Sequence, residues 1–354
     1  MEKGLCNPLI TNNIIRGGKR KYLSINGLRA YAAIGIVATH VFWNIAAKPT
    51  ECLLTNDVIG SMTELVLLFM TVSAFGMCCG YYDRVKVGQM KPSEFYKKRY
   101  MRILPFFALL VCIDLIVSPS WASVAESFSD VTLVFGLYPA ADIKVIGVGW
   151  FLGTIFVFYM LFPFFVFLLD NKRKAWIVLA LAVIWQLLMV YHYHTKGNSQ
   201  ILYCAPYFIV GGLIYLYREN IAFLFEQRSS YKWIGMTVCL SLTALFYTIP
   251  DVHKTVFGRD LPRVILYSAW LSYAIGTSQW LLNNRMTAYL SGISMEIYLC
   301  HMVFFRVVDR LHLERFIADN NLNYVATLLL TLIGTIIFSH ITKYYVLPRV
   351  IRTR

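Results

Sequence analysis

Apolar runs of eighteen or more residues alternate with short polar or charged segments along most of this chain. Each run is long enough to cross a bilayer, because about twenty helical residues match the ~30 Å hydrocarbon layer. The pattern predicts an all-α polytopic membrane protein, a helical bundle of about ten transmembrane helices. The spans read as 25–45, 58–80, 102–118, 148–169, 174–192, 201–217, 232–250, 263–282, 288–307 and 323–346, with ends set to within about two to four residues. Between the third and fourth, the run Val131 to Pro139 is too short to span and reads as a re-entrant or interfacial piece. No repeat, low-complexity tract or linker sets off a soluble domain. Residues 22–346 therefore read as one membrane domain between a tail at 1–21 and a short tail at 347–354. The first run follows a polar segment and carries no small-residue cleavage pattern, so no signal peptide is expected.

Composition agrees with this pattern. Hydrophobic residues make up 58% of the 354 and charged residues only 15%, where a soluble domain would carry about 25% charged. The net charge of +14 invites a nucleic-acid partner, but its distribution argues for topology instead. Lys3, Arg16, Lys19 to Lys21, the cluster Arg84 to Arg102, the run Asn171 to Lys174, and Lys343, Arg349, Arg352 and Arg354 all fall on one side of the membrane. The opposite loops hold far fewer cations, such as Lys48, Lys144, Lys196 and Lys254. Positive charge marks the inside, so both termini are expected in the cytoplasm of a multi-pass cell-membrane protein. No nucleic-acid partner is expected. The eight cysteines show neither a CxxC pair nor zinc spacing, and most sit in apolar spans as small hydrophobes, so no metal is expected.

Four stretches hold polar groups that hydrocarbon penalises, and an ionisable group at depth needs a partner or a task. In the first span, Arg29 and His40 are eleven residues apart. That is roughly three helical turns, which puts both on one face about 16 Å apart. A snorkelling arginine and a histidine bonded to a neighbouring helix are the bland readings. At the entrance of the third span, Arg99 and Arg102 share a face with Lys98 one turn away from Arg102. Their forked guanidinium groups suit phosphates, although such a cluster can also simply hold topology and touch acidic lipid. Ser294, Tyr298 and His301 form an i, i+4, i+7 stripe entering the ninth span, as polar glue between helices or as a site. Trp150 opens the fourth span, where a tryptophan is ordinarily an interfacial anchor.

In order and topology these stretches resemble the acyltransferase 3 family of integral membrane proteins, from about Tyr22 to Tyr345. Arg29 and His40 match its arginine and histidine separated by ten residues, and Arg99 and Arg102 match its RxxR motif. The run LLFMTVSAF, with Ser73 near its end, is similar to the family's second-span element. Trp150 to Leu152 with Tyr159 and Pro163 match the fourth-span element, and Ser294, Tyr298 and His301 match the late one. Two departures stand out. Ala74 occupies the usual glycine position, and the nearest acidic residue, Glu64, lies about a turn from its usual place.

The resemblance implies transfer of an acyl group, usually acetyl, from cytoplasmic acetyl-CoA to a hydroxyl of a cell-surface or lipid-linked glycan. Arg99, Arg102, Lys98 and Arg29 would hold the donor's phosphates, and the thioester would reach His40, with Arg29 and His40 as the catalytic pair. His40 could act as a general base or form an acyl-imidazole, since a neutral imidazole serves either. The implied partners are acyl-CoA, a glycan acceptor and the lipid bilayer. Selectivity for the acceptor is expected in the loops Thr195 to Gln200 and Pro250 to Arg263. A transporter or flippase without transferase chemistry is the rival reading. Against it, the chain lacks paired, Gly/Pro-broken short segments in matching halves. A purely structural scaffold would leave the Arg29–His40 spacing a coincidence.

Overall fold

The computed structural model describes residues 15–16, 19–117, 119–137, 149–192, 201–248 and 260–352. Helices α1 (Ile25–Asn44), α2 (Leu65–Met77), α3 (Asp83–Lys86), α4 (Pro92–Val117) and α5 (Trp121–Thr132) make the first half. They are followed by α6 (Trp150–Leu168), α7 (Lys172–Tyr191), α8 (Ile201–Gln227), α9 (Ser229–Thr248) and α10 (Asp260–Gly276). The chain closes with α11 (Arg285–Gly292), α12 (Ser294–Asp309), α13 (Asn320–Ile341) and α14 (Leu347–Arg352). The only strands among the described residues, Ile15–Arg16 and Lys19–Arg20, pair as a two-residue antiparallel ladder.

Each expected span falls on a helix. Among the described residues, six helical segments are long and apolar enough to cross a membrane, or seven if α11 and α12 count as one broken span. The second span belongs to a continuous helical stretch, Leu53–Lys86, in which 3-10 and π turns flank α2. The remaining three expected spans lie on α4, α9 and α10. Between the third and fourth expected spans lies α5, an amphipathic helix whose Trp121 and Phe128 are exposed, followed by a 3-10 turn at Val134–Leu137; residues 138–139 of the short apolar run lie outside the described residues. The stretch 195–200 and residues 250–259 lie outside the described residues.

Burial sorts the helices. In α1, 72% of the span is covered by other helices, against 17% in α7. So α1 is the axial helix and α7 faces lipid. Helix α13 shows why a membrane bundle packs this way. Its inward stripe is Asn323, Thr327, Thr331, Thr335 and Ser339, all buried, while Leu329, Ile333 and Ile337 point outward and are more than half exposed. Lipid tails are as apolar as leucine, so helix association is driven by close packing of small polar side chains rather than by burying oil. One such close approach is between α2 and α8. A Cβ on Gly211 would lie 2.2 Å from the carbonyl oxygen of Thr71 and 2.8 Å from the Ala74 Cβ. Ala74, the departure from the family pattern, is thus accommodated by a glycine on the opposing helix.

One break matters for the site. Helices α11 and α12 are bent by 71° around Ile293. Asn284 caps α11 by accepting from the Thr287 amide. Ser294, at the start of α12, bonds back to the Ser291 carbonyl at 3.0 Å. The bend leaves the first turn of α12 facing the interior of the bundle.

Candidate active site

A cavity of about 250 Å³ lies among α1, α2, α4, α6 and the α11–α12 break. Arg29, Arg99 and Arg102 all line it, together with Ser73, Tyr81, Tyr159, Ser291, Ser294 and Tyr298. No carboxylate lines it among the described residues. Three like charges around one space are costly unless an anion completes them.

Each arginine is held differently. Arg29 projects from α1 over Gly76, where a Cβ would come within 3.2 Å of its Nη2. Arg99 donates from Nη2 to the Tyr81 hydroxyl at 2.5 Å and lies against the Tyr81 and Tyr159 rings, 4.8 and 5.7 Å from their centroids. The aromatic faces fix the planar fork by cation–π contact, and its buried Nε has no partner among the described residues. Arg102 is exposed and bonds to no described residue. Lys98 does not join them. It is drawn to Glu94 at 2.6 Å, an exposed i, i+4 pair, and lies outside the cavity lining. Glu94 sits one turn away on the same helix, so the local pair takes the ammonium before the cavity can.

Deeper in the bundle, the rings of His40 and His301 lie with centroids 5.1 Å apart. His301 is fully buried, and its Nδ1 is 2.7 Å from the Tyr298 carbonyl. A carbonyl can only accept, so Nδ1 carries the proton and Nε2 presents its lone pair. That Nε2 is buried with no partner among the described residues. His40 is half-buried, and neither histidine is among the residues that line the arginine cavity. The Ser294–Tyr298–His301 stripe therefore connects the two regions. Ser294 and Tyr298 face the cationic cavity, and His301 faces His40. Trp150 is partly buried beside Phe151, 6.0 Å between centroids, while Phe151 and Leu152 face the cavity.

Several neighbours are invisible in sequence. Tyr81 and Gly76, which hold and admit the arginines, belong to no polar pattern. Ser291 lines the cavity and donates to Asn26 Oδ1 at 3.1 Å, across 265 residues. Glu64 pairs with the buried Arg263 at 2.6 Å, and Asp260 lies 3.1 Å from the same guanidinium, away from the cavity. Its displacement from the family position is explained by this separate pairing. Among the described residues, no group of three or more His, Cys, Asp or Glu side chains could hold a metal ion.

The described residues thus form a helical membrane bundle with an arginine-lined cavity and, outside its lining, two adjacent imidazoles. A family model described as an acyltransferase domain, Acyl_transf_3, matches residues 22–340, and the chain belongs to that family. It is also similar to a protein of Bacillus subtilis (strain 168) named "Putative membrane-bound acyltransferase YfiQ", at 22% identity over 302 residues, covering 78% of this chain and 79% of that one. No solved structure matches the chain. The protein is a membrane-bound transferase of acyl groups.

Proposed function

We propose that the protein is an O-acetyltransferase that takes the acetyl group from acetyl-CoA on the cytoplasmic side and passes it to a hydroxyl of a cell-surface or lipid-linked glycan. The observation that carries this reading is the convergence of Arg29, Arg99 and Arg102 on a cavity without a carboxylate among its described lining. Such a site suits the diphosphate of a coenzyme, which bidentate guanidinium groups recognise by charge and shape. The same end of the bundle carries Arg84, Lys86, Lys98 and Lys174. By the positive-inside rule that end faces the cytoplasm, with both termini.

His40 is the reacting imidazole in this account. Removing a proton from the acceptor hydroxyl, or attacking the thioester itself, requires one ring nitrogen with a free lone pair. His301 Nε2, already a lone-pair acceptor, can receive the proton on the facing nitrogen of His40. The other His40 nitrogen is then left free to react. His301 is a positioning residue, and Tyr298 fixes its tautomer through the backbone. The test is His40→Ala in purified protein. Acetyl transfer should be lost while insertion and thermal midpoint stay near normal. A variant retaining near-normal turnover overturns the assignment.

A further inference from the structure

A second chamber, of about 400 Å³, adjoins the arginine cavity and shares Arg102, Ser291, Ser294 and Met295 with it. Its other walls are the α11–α12 break and the C-terminal end of the bundle, with Glu296, Lys343 and Pro348. Lys343 bonds Glu296 Oε1 at 2.8 Å and donates to the Gly292 carbonyl. An ammonium has three N–H donors, so one is uncommitted. Arg102, which bonds to no described residue, lines the same space. Glu296 is 3% exposed, and its Oε2 is buried without a partner among the described residues. The chamber thus offers two cationic donors and one buried acceptor, beside the place already suited to a diphosphate.

A ligand end that satisfies all three carries a phosphate and a neutral donor such as a hydroxyl or amine. From this geometry we infer that the chamber seats the nucleoside-phosphate end of the acyl donor. Lys343 contacts a phosphate ester separate from the diphosphate, on the far side of Arg102 from it, and Glu296 Oε2 accepts from the sugar or base. Lys343 is then a specificity-determining residue, held in direction by Glu296. This inference rests on the acyl-CoA reading above. A lipid headgroup phosphate shares part of the same chemistry, so the experiment separates the two sources.

Binding of acetyl-CoA and of its 3′-dephospho form is measured by calorimetry on the full-length protein in nanodiscs, with and without phosphatidylglycerol. Wild type should bind the 3′-phosphorylated donor about five- to tenfold more tightly, as one partly screened ionic contact allows. Lys343→Met alone would orphan the buried Glu296, so the informative variant is Lys343→Met/Glu296→Gln. In it the preference should fall below about twofold, whereas Lys343→Arg should keep it. A preference that persists in the double variant, or that is absent in wild type, overturns the inference. So does a wild type blind to the 3′-phosphate in which the double variant loses only its response to phosphatidylglycerol; the site is then a lipid site. If wild type binds neither coenzyme, the acyl-CoA reading fails and takes this inference with it, an outcome distinct from binding both equally.

Discussion

Replacing Arg102 with glutamine separates anion binding from folding more cleanly than any other change in the cavity. Arg102 is exposed and bonds to no described residue, so its removal orphans no buried group. It also takes away one of three positive charges that crowd the same 250 Å³. Stability should therefore hold or rise slightly. A charge-assisted contact to phosphate contributes about 1.5–3 kcal/mol, and exposure to water puts Arg102 at the lower end. The half-saturating acetyl-CoA concentration should rise roughly tenfold, with maximal turnover little changed. Arg102→Lys should rescue in part, because it keeps the charge and loses the fork. The donor affinity of wild type should also fall more steeply with salt than that of the variant. Steady-state rates against acetyl-CoA concentration at two ionic strengths measure all of this. An unchanged half-saturating concentration and salt response in Arg102→Gln, with normal expression, would refute the anion-site reasoning and leave the cluster a topology signal.

Three further outcomes follow from packing and charge. Gly211→Ala forces a Cβ to within 2.2 Å of the Thr71 carbonyl oxygen, so α2 and α8 must separate; a loss of about 1–3 kcal/mol or more is expected in thermal unfolding. Arg263→Met leaves Glu64 and Asp260 without their shared cation and should cost roughly 3–5 kcal/mol, while Arg263→Met combined with Glu64→Gln and Asp260→Asn should recover much of it. Burial, with Glu126 and Asp114 nearby, pushes the Asp130 carboxyl up to about 7. A raised folded-state value favours the protonated form, so this contribution is fully present below about pH 4 and is lost as pH rises through about 7. Asp130→Asn should therefore raise the thermal midpoint at about pH 8 and flatten its pH dependence; a midpoint that drops instead would show that the ionised carboxylate stabilises α5.

What the sequence made legible follows the periodicities it carries. Hydropathy placed each span on a helix, because roughly twenty apolar residues leave a bilayer-crossing chain few alternatives. Local spacing put Ser294, Tyr298 and His301 on one buried stripe, and it put Arg99 and Arg102 in one cavity. Spacing could not say which charges an arginine would meet. Lys98 shares a face with Arg102, yet its nearest carboxylate, Glu94, lies one turn away and claims it. Contacts between distant segments left no trace in any one run. His301 against His40, Glu64 against Arg263 and Asn26 against Ser291 each join positions roughly 200 or more residues apart. The bend at Ile293 was equally missed, because the expected span 288–307 was read straight across Ser291 and Gly292, and it is what turns the start of α12 toward the cavity.

The most direct test of the central claim follows the acetyl group itself. Purified protein in nanodiscs is incubated with acetyl-CoA labelled in the acetyl carbon, together with a cell-envelope glycan fraction, and free CoA and ester-linked label are counted. The account predicts stoichiometric release of CoA and appearance of alkali-labile label in the glycan, both lost in His40→Ala. Label that stays on CoA in wild type across a range of glycan fractions, or equal transfer by wild type and His40→Ala, would contradict it.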